Sequence, residues 1–115
     1  MHEDILKFIS KFKKATDCFL DGCCYWFAHI LNHRFGGVIF YDMIVGHFFL
    51  VQGGRCYDVR GDITNAYGEL IREINFENAM TLKTKVVPWS VYQVVEPIAA
   101  SRIEADSIQL VDREV

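Results

Sequence analysis

Gly53 and Gly54 stand back to back between two apolar runs, His47 to Val51 and Cys56 to Val59. A Gly-Gly centre reaches the positive φ angles that a two-residue turn demands. The segment therefore predicts two antiparallel strands joined through Gln52-Gly53-Gly54-Arg55. With Gln52 opposite Arg55, Phe49 falls opposite Asp58 and His47 opposite Arg60. Side chains alternate along a strand, so His47, Phe49 and Val51 share one face with Cys56, Asp58 and Arg60. His47 and Asp58 become diagonal neighbours, about 7–8 Å apart at the backbone and within side-chain reach.

The flanks of this ribbon read as helix and strand in turn. Ile5, Leu6, Phe8, Ile9 and Phe12 recur at helical spacing with lysines between them, which predicts an amphipathic first helix ending near Thr16. Asp21-Gly22 breaks the chain. A second helix is expected from about Cys23, with Tyr25, Phe27, Ala28 and Leu31 inward and Gly36-Gly37 as its stop. Val38 to Tyr41 reads as a further strand. Thr64 is the expected N-cap of a third helix carrying Ala66, Tyr67, Leu70, Ile71 and Ile74, with Gly68 its weak point. Beyond Asn75, Leu82 to Val87 reads as extended up to Pro88, Val91 to Val95 is apolar but short, Pro97 opens a short helix through Ala105, and Ile108 to Val111 alternates weakly. Helices first, a small antiparallel sheet next and a mixed tail make an α+β domain.

The chain of 115 residues is 51% hydrophobic and 14% aromatic, material for one domain over residues 1–115 and too apolar for a disordered state. Fifteen acids against twelve bases give a net charge of −3, so a basic stripe for nucleic acid is not expected. No apolar run reaches the roughly 18 residues that span a bilayer, and no membrane partner is expected. Met1-His2-Glu3-Asp4 opens with acids, unlike a secretory signal. A cytoplasmic protein is the expectation.

Cys24, His47 and Asp58 are the candidate catalytic residues. Cys24 lies at the mouth of the second helix, where unpaired N–H groups and the positive end of the macrodipole favour a thiolate. The same N–H groups suit an oxyanion. His47 is the expected base and Asp58 the carboxylate that orients its ring. The order of helix-borne Cys, strand His and Asp on the adjoining strand resembles the catalytic unit of papain-like cysteine hydrolases, with NlpC/P60-type and transglutaminase-like domains among them. Gly22-Cys23-Cys24-Tyr25-Trp26-Phe27-Ala28 also resembles the helix-opening motif of ovarian-tumour-type deubiquitinases, which makes Cys24 the nucleophile and Cys23 its neighbour. Gly46-His47-Phe48 with Tyr57-Asp58 resembles small, uncharacterised bacterial and phage-type domains with a papain-like core. The resemblance spans Asp21 to Gly61. It implies a cysteine peptidase, amidase or acyltransferase acting on a peptide or protein amide without a cofactor. The alternative is a binding or structural module with the same skeleton and no turnover.

Other residues compete for these roles. Adjacent helical residues point about 100° apart, so only one of Cys23 and Cys24 can face His47. Cys56 shares the His47 face and is expected to pack beneath the ring, and Cys18 is expected to be inert. Four cysteines at 18, 23, 24 and 56 lack the paired spacing of a zinc knuckle. His29 and His33 are four apart but lack an acidic companion, so no metal is expected there. Asp62 is the fallback orienter should the register slip. Trp26 and Trp89 are expected in the core or lining a cleft.

Overall fold

The computed structural model describes residues 1–12 and 23–114, with side chains through Ser107. Gly53 and Gly54 take φ of 60° and 77°, and the expected hairpin closes across them. Strand β2 (His47–Gln52) pairs with β3 (Arg55–Asp58) through Gln52 with Arg55, Val51 with Cys56 and Leu50 with Tyr57. Strand β1 (Val38–Asp42) lies on the other side of β2, and β4 (Gly61–Asp62) and β5 (Val86–Pro88) complete the sheet. The order is β4-β3-β2-β1-β5, and every pairing is antiparallel.

Alternation along β1, β2 and β3 divides the core between two faces. Ile39, Tyr41, Phe48, Leu50 and Tyr57 join Ile5, Ile9, Phe27, Leu31 and Trp89 on one side. Phe40, Phe49, Cys56, Tyr67 and Val86 form the other core. Helix α2 (Cys24–Phe35) covers the first face with α1 (His2–Ser10), and α3 (Thr64–Arg72) covers the second. The expected inward residues of α2 (Tyr25, Phe27, Ala28 and Leu31) are all buried, and Gly36 ends it at φ 74°.

Elsewhere the chain departs from the expected elements. Helix α1 ends at Ser10 rather than near Thr16, which lies outside the described residues, as do Cys18 and the Asp21-Gly22 break. The Lys11 and Phe12 amides reach back only three residues, to Phe8 and Ile9, and tighten the final turn. Thr64 is the first residue of α3 and not its cap. Its hydroxyl accepts the Cys56 N–H and donates to Asp62, and the Asp62 carboxylate takes the Thr64 N–H. Ile74 falls beyond the end of α3.

The tail is more helical than its sequence shows. A short α4 (Phe76–Met80) is closed by a reciprocal Asn75–Asn78 capping box. Only Val86 to Pro88 of the expected extended stretch is strand, and the run from Val91 becomes α5 (Trp89–Val95). Helix α6 (Pro97–Glu114) runs past the expected end at Ala105 and through the weakly alternating Ile108 to Val111. Proline at its first position and no glycine or further proline up to Glu114 leave nothing to stop it. No helix among the described residues is long and apolar enough to cross a membrane.

Candidate active site

Cys24 is the first residue of α2, after Cys23 at the N-cap. The first N–H groups of a helix have no partner within it. Sequence parity did not reveal that Cys24 and His47 come from opposite layers: Cys24 belongs to the core under α2, whereas His47 stacks toward Phe49 on the α3 side. They meet over the start of β2. The Cys24 Sγ lies 3.9 Å from the Gly46 carbonyl oxygen, and the His47 imidazole is near enough that each group shifts the other's proton affinity, the ring lowering the thiol and the sulfur raising the ring.

Behind the ring stands the expected carboxylate. His47 Nε2 and Asp58 Oδ2 are 2.9 Å apart, which leaves Nδ1 for the sulfur. Asp58 is 3% exposed, a setting in which an unpaired carboxylate would be costly. It accepts the Arg60 backbone N–H at 2.8 Å and the Arg60 guanidinium through Nε at 3.0 Å and Nη2 at 2.5 Å. Register predicts Arg60 opposite His47, but β3 ends at Asp58, which pairs with Gly61, and Arg60 lies in the turn between them. The structure makes it the second cation on Asp58.

These contacts decide the protonation states. Burial pushes the Cys24 thiol up, but the His47 hydrogen bond and charge, with backbone groups of Phe48 and Tyr25, outweigh it and hold the thiol below its ordinary value. Burial pulls His47 down, and the hydrogen bonds to Asp58 and Cys24 reverse this and raise it to about 9. Burial likewise works to raise Asp58, and His47 and Arg60 hold it below the usual carboxylate value. The combination favours thiolate, imidazolium and carboxylate in a row.

The competing residues separate from this row. Cys56 is fully buried among Phe40, Phe49, Tyr67 and Val86, and burial with nearby Asp62 pushes its thiol up to about 11. Asp62 pairs with Arg55 and Thr64 rather than with His47, so it is not an orienter. His29 packs against Tyr25 at 4.4 Å between ring centroids. Among the described residues no group of three or more His, Cys, Asp or Glu could hold a metal ion. The Trp26 indole donates to the Ser107 carbonyl at 3.0 Å, and Trp89 is buried.

A shallow pocket of about 340 Å³ adjoins the row, lined by Val45, Gly46, His47, Arg60 and Tyr67. A larger hollow of about 430 Å³ on the outer side of α3 holds no nucleophile. Comparison with protein-family models, with curated proteins and with solved structures finds no match.

Proposed function

We propose that this chain is a cysteine hydrolase or acyltransferase with a papain-like core that cleaves or exchanges an amide bond through Cys24, His47 and Asp58. One observation carries the reading: His47, whose imidazole holds the buried Asp58 carboxylate through Nε2 at 2.9 Å, follows in the chain the Gly46 whose carbonyl meets the Cys24 sulfur at 3.9 Å, close enough for ring and thiol to shift each other's proton affinity. In such a row the carboxylate fixes the ring and supports its positive charge.

The chemistry then follows from the protonation states. The Cys24 thiolate attacks the amide carbon, a C–S bond forms, and the carbonyl π pair moves onto oxygen. N–H groups of the first turn of α2, which have no partner within the helix, are suited to receive that charge. Collapse of the intermediate expels the amine, which takes the proton from His47 Nδ1 and leaves a Cys24 thioester with neutral His47. Water, or an acceptor amine in a transferase, gives its proton to His47 as it attacks the thioester. Expulsion of the thiolate restores the pair.

The low exposure of Cys24, 7%, favours the second reading, a binding or structural module. The two separate with p-nitrophenyl acetate. The hydrolase reading predicts a burst of p-nitrophenol, an acetyl group on Cys24 that hydroxylamine removes, and no burst in Cys24→Ala or His47→Ala. Absence of acetyl-Cys24 in the native protein, or a burst untouched by His47→Ala, overturns it in favour of the module.

A further inference from the structure

Tyr41 supplies the observation that the row of three leaves unused. It lies on β1 directly across from Phe48, whose backbone helps to lower the Cys24 thiol. Its side chain is on the α2 side of the sheet, in the same core as Cys24. The ring is fixed by Phe48 at 4.7 Å, Tyr92 at 5.0 Å and Trp89 at 5.3 Å between centroids. Its hydroxyl stands 3.9 Å from where a β-carbon on Gly46 would sit, and the Gly46 carbonyl is the group that meets the Cys24 sulfur. Charge on Cys24 is felt at Tyr41 as well.

Tyr41 as a whole is 7% exposed, but its hydroxyl is not among the buried unpaired polar atoms and has no hydrogen-bond partner among the described residues, so it opens to solvent. Tyr57 and Tyr67, also buried, do find partners, in His2 at 2.6 Å and Asp42 at 2.7 Å. A phenol O–H that is free of protein partners and open to solvent beside a nucleophile can donate to a ligand atom. Burial, with the charges of Tyr92, Cys24 and Asp42, also keeps the phenol protonated and hence a donor. Glycine at 46, with φ 70°, keeps the space next to it clear of a side chain.

We propose that Tyr41 is a further catalytic residue, its O–H donating to the substrate oxygen as negative charge develops there. It would act beside a first-turn N–H of α2, and it rests on the hydrolase reading above. The phenol keeps its proton throughout; it strengthens a hydrogen bond as the π pair moves onto oxygen and weakens it when the thioester forms. Such a donor helps acyl transfer and does nothing for a displacement at saturated carbon, where no oxyanion arises.

That difference supplies the test. Tyr41→Phe keeps the ring and removes only the hydroxyl. Its rate of Cys24 acetylation by p-nitrophenyl acetate is expected to fall about a hundredfold, the range for one oxyanion donor, while alkylation by iodoacetamide stays unchanged. Tyr92→Phe, a neighbouring phenol, should alter neither. Unchanged acetylation in Tyr41→Phe overturns the inference, and so does an equal fall in both reactions, which would make Tyr41 a support for the thiolate. If native Cys24 is not acetylated at all, the hydrolase reading fails first, and the inference with it.

Discussion

Replacing Asp58 by Asn removes the charge behind His47 while keeping its shape. The carboxylate is 3% exposed and holds His47 Nε2 at 2.9 Å together with the Arg60 guanidinium. His47 is raised from 6.5 to about 9, which corresponds to about 3 kcal/mol in favour of imidazolium. Cys24 and Asp58 share that stabilisation, and a hydrogen bond to a charged group contributes about 1.5–3 kcal/mol. Loss of the Asp58 share therefore shifts the thiolate–imidazolium balance by about tenfold or more. The readout is the rate of Cys24 alkylation by iodoacetamide at mildly acidic pH, mapped by mass spectrometry. Asp58→Asn should react at least about ten times more slowly there and recover at alkaline pH, where the thiolate no longer needs the imidazolium. Stability should fall as well. Removing one partner of a buried ion pair costs about 3–5 kcal/mol, and half-exposed Arg60 can rehydrate, which sets the lower end. A folded Asp58→Asn protein with native alkylation rates at every pH would refute the reasoning.

Further outcomes follow from the same contacts. Unfolded, Cys24 and His47 return to about 9.0 and 6.5; where the folded chain holds thiolate and imidazolium, their proton changes cancel and stability is level with pH. Cys24→Ala removes half of that cancellation, so the His47 contribution, fully present below 6.5, should fade as pH rises above it and, with the sulfur's share gone, be lost short of pH 9, by up to about 1.4 kcal/mol per pH unit; urea midpoints with the same pH dependence as the native protein would contradict it. Asp58, held low, works the other way, and its contribution is lost as pH falls below 3.8. Phe49→Ala should cost about 3–5 kcal/mol in urea unfolding, because Phe49 is fully buried and stacks on Tyr67 at 4.3 Å; a loss below about 1 kcal/mol would show that the second core closes over the gap.

What the sequence disclosed is what local rules govern. Gly53-Gly54 set the hairpin register, and register put His47 and Asp58 on one face, because alternation leaves no other choice. Gly36 and the spacing of Phe27, Ala28 and Leu31 gave the second helix its face and its end. What stayed hidden depends on neighbours distant in sequence. Nothing local says that α2 covers the opposite face, or that its first residue reaches around the start of β2. Tyr41 reads as one more alternating strand residue; its open hydroxyl has meaning only once Gly46 and Phe48 are beside it. The tail eluded periodicity because Val91 to Val95 is rich in β-branched valine, which α5 overrides, and because no residue between Pro97 and Glu114 stops the last helix.

The protonation of His47 probes the paired sulfur and imidazole most directly. Ring nitrogen-15 shifts, followed with pH and assigned by comparison with His47→Gln, should show an imidazolium that persists through neutrality and titrates near 9. In Cys24→Ala the same ring should lose its proton at lower pH. A His47 that titrates near 6.5, alike in both proteins, would mean that sulfur and ring do not share a proton and that the proposed nucleophile is an ordinary buried thiol.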